Sequence, residues 1–446
     1  MNLARIRRAV LARLRWLTPG IGVKRWLVVA AIGIALLLDA ADRVMVADGI
    51  RLRVNEAIDA FVVDYFSPSD VAWIFAALGV VLVGWGIAGW TRSLLRLAAP
   101  GGRIPLSDRL RALRLYEGYK IVAIGGGTGL STLLRGLKHH TANLTAIVTV
   151  SDDGGSSGRL QKELGVLPPG DIRNCLVALA DDEALVTALF RYRFDEGDGL
   201  AGHSFGNLFL AAMTGITGNF EAAVKESSRV LNIVGRVLPA TLAVVRLCAR
   251  FADGTIAEGE SRITAARKRI VELFFDPPHA EPLEEALQAI READAIVLGP
   301  GSLYTSILPN FLVARMAEEV AASKAVKIYV CNVMTQPGET DDMRASDHVR
   351  ALLENAGRGI ADIAIVNTKP PERLLEAYAS EGQVPVEADL YAVEALGVTP
   401  VAADVISETE TVRHDPAKLA HTVIEIIARS VAERASLVRF ARKSGG

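Results

Sequence analysis

Cysteine is scarce in this chain. Cys175, Cys248 and Cys331 are the only three in 446 residues, and they are odd in number, widely spaced and without a CxxC pair. That argues against a disulfide framework or a zinc site and points to a reducing compartment. A basic stripe is also missing: the formal charge is -2, and no part of the long C-terminal region is dense enough in Lys and Arg to track phosphates, which argues against nucleic acid as a partner. Acids are missing from the N-terminus, where Arg5, Arg7, Arg8, Arg13, Arg15, Lys24 and Arg25 stand alone. There is no internal repeat and no low-complexity tract. What remains is ample: half of the residues are hydrophobic, enough for a sizeable core, and the length suits two to three domains or one large α/β domain with appendages.

Val71 to Trp90, "VAWIFAALGVVLVGWGIAGW", is twenty residues without a charge, about the length that crosses a hydrocarbon core. Trp26 to Ala41, "WLVVAAIGIALLLDAA", is shorter and holds Asp39 near its end. It reads as a second span, with a signal-like segment cleaved after Ala40 or Ala41 as the competing reading. Arg92, Arg96 and Arg103 follow the second segment, whereas the stretch between the two is acidic, with Asp42, Asp48, Glu56, Asp59, Asp64 and Asp70 against Arg43, Arg51 and Arg53. The positive-inside rule therefore expects a two-pass hairpin in the cytoplasmic membrane with both termini in the cytoplasm. The expected organisation is a basic N-terminus (1–24), a transmembrane hairpin (25–92), a Pro/Gly linker leading into a juxtamembrane helix (93–118), and one large domain (119–446).

That domain alternates strand-like and helix-like segments. Lys120–Ile124, Thr145–Val150, Ala295–Leu298, Lys327–Cys331 and Ile363–Asn367 read as strands of a mostly parallel, doubly wound, Rossmann-like sheet. Leu242–Arg250, "DGTIAEGES" and Arg269–Phe275 read as an antiparallel insertion around an Asp253-Gly254 turn. In such sheets ligands sit beyond the carboxyl ends of the strands, and five loops there are rich in small and polar residues.

"KIVAIGGGTGLSTLLRGL", Lys120 to Leu137, is a strand that breaks into Gly125, Gly126, Gly127 and Gly129, with Thr128 among them, and continues as a helix. Its free N–H groups and helix N-terminus suit a phosphate or another anion. It fits neither GxGxxG nor the P-loop, and the bland alternative is close strand-to-helix packing. "SDDGGSSGR" offers Asp152 or Asp153 to a ribose or to Mg²⁺ through water, and Ser156, Ser157 and Arg159 to phosphate; a solvated turn is the alternative. In "PPGDIRN", Asp171 reads as an N-cap, with Arg173 and Asn174 free for other work. "GHSFGN" matches GxSxG at Ser204 but lacks the preceding strand of a nucleophile elbow. It reads instead as a loop and helix start presenting Ser204 and Asn207, with His203 either a proton donor or a packing residue. "GPGSLYTSILPN" supplies a second anion-binding turn through Gly301 and Ser302, and Tyr304 to stack on a base or bond a sugar, unless it is a core tyrosine. "CNVMTQPGETDDMRASDH" adds Asn332, Thr335, Gln336, Glu339, Thr340 and Arg344.

In order along the chain, "AIGGGTGLSTLLRGLK", "AIVTVSDDGGSSGRL", "PPGDIRNCLVALA", "GHSFGN", "GPGSLYTSI" and "MTQPGET" closely resemble the YvcK (GlmR) gluconeogenesis-factor group, within the superfamily that includes the 2-phospho-L-lactate transferase CofD. The resemblance runs from about Tyr119 to Asn367, with a weaker helical tail, and leaves the N-terminal hairpin outside. It implies a Rossmann-like domain that binds a UDP-sugar, notably UDP-N-acetylglucosamine, and links carbon metabolism to cell-envelope precursors and cell shape. A precursor enzyme such as glutamine-fructose-6-phosphate aminotransferase is then an expected partner, and a homo-oligomer stays open. Carried over by position, Gly125–Gly129 would face the diphosphate, Tyr304 the uridine or sugar, and Arg344 a second anion. The CofD branch implies instead a Mg²⁺-assisted phospholactyl transfer from a nucleotide donor, with Asp152 and Asp153 at the metal and His203 beside them. The loops "GGSSGR" and "GHSFGN" look like the YvcK pattern. A UDP-sugar-binding regulator is thus the first expectation and a CofD-like transferase the second. An NAD(P) oxidoreductase is third, because Asp152 lies where a ribose-binding acid would follow a glycine turn.

Overall fold

The computed structural model describes residues 24–45, 68–97, 115–181, 183–197, 199–408 and 411–444. The basic N-terminus, most of the acidic connecting stretch, the Pro/Gly linker and most of the juxtamembrane segment lie outside them. The chain divides into two compact units, Met1–Asp108 and Arg109–Gly446.

The first unit contains helices α1 (Lys24–Met45) and α2 (Pro68–Leu97), packed antiparallel. A Cβ at Gly33 would stand 2.8 Å from the Gly79 carbonyl oxygen, and one at Gly86 2.7 Å from the Ala30 nitrogen. The two backbones therefore touch through small residues, as membrane helices commonly do. Trp26 meets Trp85 edge to face at 5.6 Å. The outward face is apolar: Trp73 and Val81 are more than half exposed. Asp70–Thr91 is long and apolar enough to cross a membrane, while Trp26–Ala41 is apolar but shorter. The expected helix pair is present, and one of its two members meets the length for a span.

The second unit is built on strands β1 (Ile121–Gly125), β2 (Leu144–Val148), β3 (Arg236–Pro239), β4 (Arg246–Phe251), β5 (Ile256–Glu258), β6 (Ile270–Asp276), β7 (Ala295–Leu298), β8 (Val326–Val330), β9 (Ile363–Asn367), β10 (Thr399–Ala403), β11 (Ile406–Glu408) and β12 (Val412–His414). Seven of these form one sheet in the order β10-β9-β8-β7-β1-β2-β3, and every pairing in it is parallel. Its interior strands are mostly apolar because both faces are covered, with Thr145 and Lys327 as the polar exceptions inside β2 and β8. Successive side chains of β1 feed opposite layers, Val122 and Ile124 one core, Ile121 and Ala123 the other. β5, β4 and β6 make the expected antiparallel insertion, and β11 and β12 form a hairpin.

β3 and β10 were not expected as strands. β3 starts on an exposed arginine and ends on a proline, and β10 carries Pro400. Both lie at sheet edges, where proline is tolerated and the apolar run is short.

The topology locates the site. From β1 the sheet is extended by β2 and β3 on one side and by β7 to β10 on the other. This reversal between β1 and β7 is the switch point at which a crevice opens beyond the carboxyl ends of the strands.

Candidate functional site

Two glycine turns meet at that crevice. The first leaves β1 and enters helix α3 (Gly127–Leu137), whose N-cap is Gly126 and which has no side-chain cap. Its apolar stripe, Leu130, Leu133, Leu134 and Leu137, is buried in the core, which fixes the helix with its N-terminus at the crevice. Gly127 has φ +64, a conformation other residues adopt at a cost. A side chain at Gly129 would run into the Pro300 carbonyl of the second turn. That turn leaves β7 and enters a five-residue π-helix, Leu303–Ile307. Asn310, fully buried, fastens the two by donating to the carbonyls of Gly125 (3.4 Å) and Ser306 (2.9 Å).

Between the turns lies a cavity of about 420 Å³ lined by Gly127, Thr128, Gly129, Thr132, Gly301, Ser302, Ser306, Asn332, Thr335 and Gln336, with Tyr378, Gln383, Arg413 and His414 from the C-terminal third. Arg413 is the only Lys, Arg, Asp or Glu among the described lining residues, and it is exposed on β12. His414 is buried and donates from Nε2 to the Cys331 carbonyl at 3.2 Å; burial lowers its pKa to about 4, leaving it neutral at physiological pH. A helix N-terminus without a side-chain cap, a lining of hydroxyls and amides and one guanidinium make a cavity suited to an anion with a polar body.

A second polar group is built beyond β2 on helices α4 (Gly155–Leu164), α5 (Gly170–Leu179) and α6 (Phe205–Thr217). Arg173 is its hub. Nη1 donates to Ser204 Oγ (2.7 Å) and Asn207 Oδ1 (3.0 Å), and Nη2 to Asn174 Oδ1 (2.9 Å). Asn207 reaches Ser157 Oγ at 3.4 Å, and Ser156 Oγ meets His203 Nδ1 at 2.8 Å. Ser204 caps α6, so the serine of the GxSxG match is a helix cap, as its context suggested. Asp171 accepts the Gly127 N–H from behind the glycine turn, and its pKa is pushed up to about 7, first by burial and then by Asp152. Burial is also the main cause that raises Asp152. It raises Glu260, on the helix after β5, to about 9, with Asp171, Asp152 and Glu339 adding to the effect.

The residues expected from the motifs thus separate. Gly127, Thr128, Gly129, Gly301, Ser302 and Asn332 line the cavity; Gly125 and Gly126 lie behind its wall, Gly126 against Asp171 and Thr149. Asp152, Ser156, Ser157, Asn174, Ser204 and Asn207 belong to the Arg173 side, with Arg159 near Gly202. Asp152 and Asp153 turn to different partners: Asp152 accepts from Gly154 N–H at 2.9 Å, and Asp153 from Ser261 N–H and Oγ at 3.1 Å. Among the described residues no three His, Cys, Asp or Glu side chains are placed to hold a metal. Tyr304 lines a separate groove. Arg344 stands just before the helix Ala345–Ala356, where its backbone N–H donates to Asp347 Oδ2 at 3.1 Å and its guanidinium pairs with Glu387 at 3.3 Å. The sequence reading missed Tyr378, Gln383, Arg413 and His414. For Arg413 and His414 the local pattern is three residues, Val412–His414, too short to read as a strand.

A model of the family described as 2-phospho-L-lactate transferase CofD matches residues 121–406. A relative in Nostoc sp. is 50% identical over 420 residues, covering 92% of either chain. The protein named gluconeogenesis factor in Bacillus subtilis is 51% identical over 310 residues, 69% of this chain and 98% of that one. The chain belongs to the CofD family, in its gluconeogenesis-factor branch. A crystal structure of a Bacillus halodurans protein matches with TM-score 0.67 at 50% identity, covering 69% of this chain and 99% of that one.

Proposed function

We propose that this gluconeogenesis-factor homologue is a membrane-tethered regulator that binds a nucleoside-diphosphate sugar, UDP-N-acetylglucosamine first among them. The observation that carries the reading is the meeting of two glycine turns at the β1/β7 switch point, over a cavity whose one charged side chain among the described residues is Arg413. In this reading the diphosphate lies against the N–H groups of Thr128 and Gly129 and the turn at Gly301–Ser302, and Arg413 closes on it from β12. Tyr378, Gln383 and Asn332 then meet the sugar or the base. The hairpin of α1 and α2 holds the second unit at the cytoplasmic face of the membrane, with Asp70–Thr91 as the stronger span. Regulation requires that the ligand favour one of two conformations or partners, an envelope-precursor enzyme such as glutamine-fructose-6-phosphate aminotransferase being the partner proposed.

The family match favours a second reading, CofD-like phospholactyl transfer with Mg²⁺. The divergence of Asp152 and Asp153 offers that metal no shared ligand pair, and the regulator is preferred. Titration of the full-length protein in detergent by calorimetry with UDP-N-acetylglucosamine, with and without Mg²⁺ and with GTP and NADPH as competitors, separates the readings. Saturable binding of the UDP-sugar without Mg²⁺ is expected; Mg²⁺-dependent binding of GTP alone would give the transferase precedence, and NADPH alone the oxidoreductase.

A further inference from the structure

A groove of about 640 Å³ lies next to the cavity, between the loop Arg267–Arg269, the π-helix and the helix Ala345–Ala356. The same five-residue turn serves both spaces: Ser306 lines the cavity and Tyr304 the groove. Glu339 lines the groove and is only 7% exposed. Its Oε1 is crowded with donors, accepting from Thr305 Oγ1 (3.0 Å), Gln336 Nε2 (3.1 Å) and Thr264 Oγ1 (3.2 Å). Its Oε2 is buried with no partner in good hydrogen-bond geometry, the backbone N–H groups of Tyr304 and Thr305 being the nearest donors to the carboxylate. An unsatisfied buried carboxylate oxygen is costly and calls for a donor.

The charges around it narrow the donor. Lys268 is held by Asp253 at 2.7 Å and Arg350 by Asp347 at 2.6 Å. The other charged residues lining the groove are Asp341, Asp342 and Glu354 against Arg267 and Arg269, with Glu354 and Glu339 both near the Tyr304 hydroxyl. Carboxylates next to a tyrosine suit an ammonium group, through ionic hydrogen bonds to the acids and attraction to the aromatic ring.

We propose that this groove binds a primary amine carried on a small polar molecule, with the ammonium between Glu339 and Tyr304. Burial holds the Glu339 carboxyl above the usual carboxylate range, and an ammonium beside it reverses that shift. Occupancy is felt in the cavity, because Glu339 is bonded to Gln336, Gln336 accepts from Ser302 Oγ at 2.7 Å, and both Gln336 and Ser302 line the cavity. This coupling rests on the nucleotide-sugar reading; the amine site does not. An amino sugar and a linear amine share the required chemistry.

The test titrates the full-length protein, without nucleotide, with glucosamine, with glucose, which differs by the amine, and with putrescine. Glucosamine or putrescine is expected to bind saturably and at least tenfold tighter than glucose, and the tighter of the two identifies the source. Tyr304→Ala and the isosteric Glu339→Gln are each expected to weaken that binding at least fivefold with the melting transition retained. No amine preference over glucose, or unchanged binding in Tyr304→Ala, overturns the site. With saturating amine, UDP-N-acetylglucosamine affinity should shift at least threefold; an unshifted affinity overturns the coupling alone. Failure of UDP-N-acetylglucosamine to bind at all would strike the cavity reading and leave the amine result standing.

Discussion

The cavity between the glycine turns and the polar group around Arg173 sit beyond neighbouring strands of one sheet, yet they are built in opposite ways. The cavity is walled by backbone, hydroxyls and amides, with a single guanidinium. On the Arg173 side, charged groups are held by neutral polar partners: Arg173 gives three donor contacts to Ser204, Asn207 and Asn174, and Asp171 accepts from Gly127 N–H. An open set of donors can receive a ligand, whereas a closed set fixes the loops that carry it. Asp171 joins the two, bracing the glycine turn from behind while the cavity lies in front.

That contrast can be broken at either end. Gly127→Asp places a carboxylate and a strained backbone in the turn, and nucleotide-sugar binding should fall by more than a hundredfold; calorimetry against a melting control checks it, and retained affinity would remove the turn from the site. Arg173→Leu should act on stability instead. It leaves Ser204, Asn207 and Asn174 without their donor, a loss of about 1–3 kcal/mol for each polar group left unsatisfied, read by urea denaturation. Arg413→Ala should leave stability alone and weaken binding about tenfold to a hundredfold, the range of a lost charge-assisted hydrogen bond. A destabilised Arg413→Ala with unchanged affinity would invert the two roles.

The smallest expected effect concerns pH. Asp171 and Glu260 have folded pKa values of about 7 and about 9, above their ordinary values. The folded state therefore keeps protons that the unfolded chain has released. Stability from these groups is full below about pH 4 and declines as pH rises towards 9. Glu260→Gln should flatten the upper part of that decline, raising the melting temperature at pH 9 relative to wild type and changing it little at pH 5. An equal change at both would show that Glu260 is not protonated in the fold.

Much of this was legible in the sequence because it followed from runs and punctuation. The apolar runs of β1, β7 and β9 ending in Gly or Asn, and the stripe of α3, needed only local periodicity. The same holds for the hairpin's second helix, an uncharged segment of membrane length. The roles of Tyr304 and Arg344 were not legible. Both sit in polar loops at the right end of the sheet, but the π-helix turns Tyr304 into a different space from Ser302 and Ser306, and Arg344 stands at a helix start, where its backbone N–H donates to Asp347 Oδ2 and its guanidinium pairs with Glu387. Side-chain direction in such turns is set by a one-residue change of helical phase, which motif spacing does not reveal. Arg413 and Tyr378 were hidden for the opposite reason. They enter the cavity from segments more than 200 residues beyond the first glycine turn, by tertiary packing that no local pattern announces.

The most direct measurement is a crystal structure of the protein soaked or grown with UDP-N-acetylglucosamine. The account predicts the diphosphate between Gly127–Gly129 and Gly301–Ser302, within reach of Arg413. A nucleotide seated on the Arg173 side, or in the groove at Tyr304 with the glycine cavity empty, would contradict it.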